Sequence, residues 1–142
     1  MSEPIVYVKL ENRLHSQYES IYKTVRGCWL DIYFYSDDFN FTEKKAFFFM
    51  FIRRLLDEKR IVFSPPVCLL EEAGKEIHYE FSGAGEPLIW KAATDEIIAC
   101  LRQGFPASAN NEQAPELVAF WYSDQCPQIG WVDLETGKIF CP

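Results

Sequence analysis

FTEKKAFFFMFIRRLLDEKRIVF, residues Phe41–Phe63, is the stretch whose reading decides the fold. Asn40 and Glu43 stand three residues apart, the spacing of a capping box, and predict a helix start. Ala46 to Ile52 is apolar on every side, so the helix belongs at the centre of the molecule, covered on most faces. Arg53 and Arg54 restore a polar face and lie near the negative end of the helix dipole. The helix is expected to end near Asp57. Ile61 to Phe63 then reads as a short strand, stopped by Pro65 and Pro66.

Upstream, Ile5 to Leu10 alternate and suggest a short strand. Leu14, Tyr18, Ile21, Tyr22 and Val25 share one helical face within Asn12–Val25, with Gly27 as the stop. Cys28 to Tyr35, CWLDIYFY, reads either way: its composition suits a strand, while Trp29, Ile32 and Tyr33 share a helical face and favour a helix. Downstream, a strand is expected at Ile77–Phe81. Thr94 reads as an N-cap for a helix through Ile97, Ile98 and Leu101 to a Gly104–Pro106 stop. Ala107 to Pro115 is a polar loop. Three strands close the chain: Leu117–Tyr122, Ile129–Asp133 and Lys138–Phe140, the last two joined through Gly137. The order predicts one α+β domain over residues 1–142, with three to four helices, a small antiparallel sheet and C-terminal β-hairpins.

The chain's 142 residues suffice to bury roughly 70% of the unfolded surface without disulfides or metals. Aromatic residues reach 16%, which excludes disorder over the whole length. The net charge of −7 argues against direct binding of nucleic acid or anionic lipid; it suits plain solubility, or association with a basic protein partner. The five cysteines are widely spaced with no CxxC pair, so neither a zinc site nor a thioredoxin-like motif is signalled. The opening MSEPIVYVKL lacks the pattern of a secretory signal, and no apolar run approaches a membrane span. A cytoplasmic location with free thiols is the expectation.

No residues assemble into a catalytic, cofactor or metal motif. His15 and His78 have no ligand at metal spacing. The carboxylate pairs Asp37–Asp38 and Glu71–Glu72 suit a helix start and a solvated loop. Gly83-Ala84-Gly85 lacks a phosphate-loop pattern. The chain is therefore read as a binder, with no catalytic residue, cofactor or metal.

Phe41–Phe63 resembles a family of small bacterial proteins sharing a helix of the type E-K-x-A-F-F-x-x-x-x-x-L-L-x-E-x-R-I. Trp90, the helix ending at Gly104-Phe105-Pro106, and FWYSDQCPQIGWVDLETG at Phe120–Gly137 resemble the same family in order and spacing; Val67–Ile89 matches poorly. Such proteins look like the immunity partners of polymorphic bacterial toxins, as in contact-dependent growth inhibition. The resemblance implies stoichiometric neutralisation of a cognate toxin domain, with a basic nuclease as one form that −7 would complement. It supplies no catalytic residues. The other readings are a cytoplasmic adaptor or regulatory protein without a toxin partner, and a small hydrolase with a Cys/His or carboxylate site. The expected partner surface comprises Glu71, Glu72, Asp124, Asp133 and Glu135, with Trp121 or Tyr122 as aromatic anchor. Asp31, Asp37 and Asp38 form the next choice.

Overall fold

The computed structural model describes residues 3–30, 39–70, 77–81, 88–111 and 113–142. In chain order the elements are α1 (Glu3–Val25), α2 (Phe41–Asp57), β1 (Ile61–Ser64), α3 (Val67–Leu70), β2 (Tyr79–Phe81), β3 (Leu88–Trp90), α4 (Thr94–Gly104), α5 (Pro115–Trp121), β4 (Gln128–Val132) and β5 (Ile139–Phe140). This is an α+β fold with five helices among the described residues, one more than the upper expectation; α3 spans only four residues. One sheet runs β1-β4-β5 and the other pairs β2 with β3, all antiparallel.

The central helix forms as its sequence dictates. The Asn40 side chain accepts from the Glu43 amide at 2.9 Å, and the Asn40 amide donates to Glu43 Oε1 at 3.1 Å. Phe47, Phe48, Phe49, Phe51, Ile52 and Leu55 are buried. Phe48 meets Phe49 and Trp121 edge-on, with ring centroids 5.2 and 5.6 Å apart. One hydrophobic cluster joins α1, α2, β1, α4, α5 and β4 around this helix.

Four sequence expectations are corrected. The strand at Ile5–Leu10 is instead part of α1. Leu10 is fully buried and lies one helical repeat before Leu14 and Tyr18, so the buried row extends back beyond Asn12. Pro4 sits in the first turn, where its missing N–H costs nothing. Thr94 is the first residue of α4 rather than its cap; Ala93 occupies the cap position and makes no side-chain cap bond. Leu117–Tyr122 is not a strand, because Pro115 opens a helix at N1 and Leu117, Phe120 and Trp121 share its buried face. The expected C-terminal hairpins reduce to one, β4–β5, with β4 pairing on its other side with β1.

Other expectations hold closely. Gly27 and Gly137 adopt positive φ, 86° and 76°, ending α1 and turning the β4–β5 hairpin. The strand expected at Ile77–Phe81 is shorter, Tyr79–Phe81, and pairs with β3. Of Cys28–Tyr35, only Cys28, Trp29 and Leu30 are described, so the choice between helix and strand falls outside the described residues.

Candidate functional site

The site is built where the segment following α1 meets the C-terminal end of α5. Trp131, fully buried on β4, donates its indole N–H to the Cys28 carbonyl at 3.1 Å. That bond ties the chain beyond Gly27 to the sheet and sets Trp29 against Tyr122, ring centroids 6.4 Å apart. Both rings face solvent, with Tyr122 at 68% and Trp29 at 46% exposure. Large aromatics are normally among the most buried residues, so an exposed, mutually packed pair is informative. Val118, one helical repeat before Tyr122, is also exposed.

Alongside lies an acidic edge. Around α5 the exposed residues run in the order Val118, Tyr122, Ala119, Glu116. Gly104, Pro106, Glu116, Ala119, Ser123 and Asp124 line an open groove of about 360 Å³. The turn carrying Asp124 is held firmly. Ser123 Oγ donates to the Phe120 carbonyl at 2.8 Å, the Cys126 amide donates to the Ser123 carbonyl at 3.3 Å, and the Cys68 amide donates to the Asp124 carbonyl at 3.2 Å. Among the described residues, Glu116, Asp124 and Glu135 join none of the ion pairs, which link Lys9–Glu43, Arg53–Asp95, Arg54–Glu58, Arg60–Glu19, Arg60–Glu58 and Lys91–Glu80.

The sequence-predicted residues divide. Tyr122 and Asp124 fall together beside the groove. Trp121 is 8% exposed and packs on Phe48, Phe105 and Phe120, so of the two rings only Tyr122 is open to solvent. Asp133 and Glu135 sit in the β4–β5 turn, at the far end of a five-residue strand from Pro127, about 16 Å away. Asp133 Oδ1 accepts from the Glu135 and Thr136 amides at 2.9 and 3.4 Å, which holds its carboxyl below the usual range and commits it to the turn. Glu135 is exposed at the tip. Glu71 and Glu72 lie outside the described residues, as do Asp31, Asp37, Asp38 and Gly83-Ala84-Gly85.

Sequence reasoning missed Trp29, Val118 and Glu116. Trp29 had been placed on a helical face, and no local pattern links it to a residue so distant in the chain. The spacing of Val118 and Tyr122 was available once α5 was read as a helix.

The remaining chemistry-bearing groups are dispersed. His15 and His78 are exposed, on α1 and just before β2. None of the five cysteines forms a disulfide; Cys68 and Cys141 are exposed, and burial pushes the Cys126 thiol up to about 12. Among the described residues no group of three or more His, Cys, Asp or Glu is placed to hold a metal ion. The cleft between Trp29, Leu30, Trp121, Tyr122 and Cys126 offers about 10 Å³, room for about one water molecule. No described helix is long and apolar enough to cross a membrane.

Comparison with protein-family models, with curated proteins and with solved structures finds no match. The stretches that carry the family resemblance fall mainly in the scaffold: Phe41–Phe63 is α2 and β1, and Phe120–Gly137 runs from the end of α5 through β4 into its turn.

Proposed function

We propose that this chain is an immunity protein, which binds a cognate bacterial toxin domain one-to-one and blocks its activity, without catalysis or cofactor of its own. The observation that carries the reading is the exposed Trp29–Tyr122 pair, set beside carboxylates that join no ion pair among the described residues. Exposed aromatics on a rigid frame anchor protein interfaces, and uncompensated acid speeds encounter with a basic partner. The −7 net charge extends that attraction over the molecule, and the sequence resemblance supplies the class of partner. A toxin acting on nucleic acid fits this charge best, since its own substrate cleft is basic.

The test is direct. The C-terminal domain of any large exported protein encoded beside this chain is expressed with and without it. Growth arrest relieved by this chain, together with a one-to-one complex by calorimetry, is the expected result. Arrest unrelieved at equal expression, with no complex formed, contradicts it. An adaptor without a toxin partner would instead bind a protein whose expression leaves growth unchanged.

A further inference from the structure

We infer that Trp29, Val118 and Tyr122, with the groove lined by Glu116 and Asp124, form a two-part docking site for a basic protein partner. The ring pair takes an apolar side chain, and the groove takes a neighbouring arginine or lysine. The inference rests on the toxin-binding reading for the partner's class and deepens it by naming the surface and the side chains it recognises.

Three observations converge on this pairing. First, Trp29, Val118 and Tyr122 are exposed apolar groups from two parts of the chain, brought side by side by the segment following α1 and by α5. An aromatic pair loses little side-chain freedom when covered, so burying it under a partner is favourable. Second, the groove lies on the next row of the same helix, across Ala119, whose small side chain leaves the floor open. Third, the charged side chains that line the groove are both acidic. Glu116 and Asp124 line it, none of the ion pairs among the described residues engages either, and the C-terminal end of α4 at Gly104 adds the negative pole of an eleven-residue helix. A guanidinium or ammonium placed there meets two carboxylates and a helix end. A second copy of this chain fits poorly, because −7 on each molecule opposes pairing through an acidic face.

The test uses the intact chain and the synthetic dipeptide N-acetyl-Phe-Arg-amide, followed by amide and indole NMR shifts. Two controls remove one part each: N-acetyl-Phe-citrulline-amide lacks the charge and N-acetyl-Ala-Arg-amide lacks the ring. Saturable shifts should concentrate on the Trp29 indole and on the amides of Val118, Ala119, Tyr122 and Asp124. Either control, or either exposed-site variant Tyr122→Ser or Asp124→Asn, should weaken binding roughly threefold or more, as expected for one aromatic or one exposed ionic contact. Unchanged melting of both variants shows that the fold is intact. Shifts spread over all acidic surfaces, equal response to the controls, or no response at the patch up to millimolar dipeptide overturns the site. The two claims fail separately. A toxin domain whose complex is indifferent to both variants removes the surface and leaves the immunity reading. A dipeptide response with no toxin relieved does the reverse.

Discussion

Phe48→Ala removes a ring from the middle of α2, where it is fully buried between the Phe49 and Trp121 rings at 5.2 and 5.6 Å. Truncating a fully buried Phe costs about 3–5 kcal/mol, from lost transfer energy and from the cavity left behind. Both neighbouring edge-on contacts vanish with it, and each is worth about 0.5–1.5 kcal/mol beyond area. The surroundings are other large rings, which cannot collapse inward easily, so the upper half of that range is expected. Whole-domain stability runs to about 5–15 kcal/mol, so the variant loses roughly a quarter or more. With about 2–4 °C per kcal/mol for a chain near this size, its melting temperature should drop by roughly 10–15 °C. Thermal and urea melts followed by circular dichroism read this. Tyr122→Ala, whose ring is largely in water, serves as the contrast and should stay within about 0.5 kcal/mol of the wild type. A Phe48→Ala protein that melts within about 3 °C of wild type refutes the placement of α2 at the centre of the core.

Further outcomes follow from the same structure. At pH 8 under native, reducing conditions, a thiol reagent should label Cys68 and Cys141 first and leave Cys126 untouched, because its buried thiol titrates near 12; five thiols should count after denaturation, and fewer in protein kept from air contradicts the free-thiol state. Tyr22→Phe should be neutral or slightly stabilising, since the Tyr22 hydroxyl is buried with no hydrogen-bond partner among the described residues; a loss above about 1 kcal/mol in urea melts means that it has one. Stability should fall in acid. Glu19 is held below the usual range by the Arg60 hydrogen bond, Glu43 by the Asn40 amide and Asp133 by the Glu135 and Thr136 amides. Groups lowered in the folded chain stabilise it above the unfolded value near ~4 and lose that contribution as pH falls through the folded values. Melting temperature should therefore drop between about pH 5 and pH 2, less steeply in Asp133→Asn; a flat profile contradicts the assignment.

How far the sequence reveals the molecule depends on how many independent signals a segment carries. α2 has a reciprocal cap, an apolar run and a polar ending that agree, and its bounds follow within a residue. β1 and β4 carry short apolar runs bounded by turn residues, and the hairpin after β4 has its glycine. α5 is seven residues long and carries Val118, Phe120 and Trp121, so its composition speaks for a strand, and Pro115 alone marks it as a helix. A strand sends Trp121 and Tyr122 to opposite faces without saying which is inside; the helix does say, because Trp121 joins Leu117 and Phe120 on the buried side and Tyr122 stays outside. The carboxylate of Asp124 and the ring of Tyr122 were legible as chemistry. Their conjunction with Trp29 was not, because it depends on the Trp131 indole reaching back to the Cys28 carbonyl, a contact between the two ends of the chain.

The central claim, that this chain acts by covering a toxin domain rather than by chemistry, is tested most directly by titrating the purified toxin's activity with it. Stoichiometric neutralisation predicts that activity falls linearly and reaches zero at one equivalent, whatever the incubation time. Activity that is lost at a small fraction of an equivalent and continues to fall with time would mean that the chain destroys the toxin or its substrate catalytically. Activity unchanged at several equivalents would mean that it is not this toxin's immunity protein.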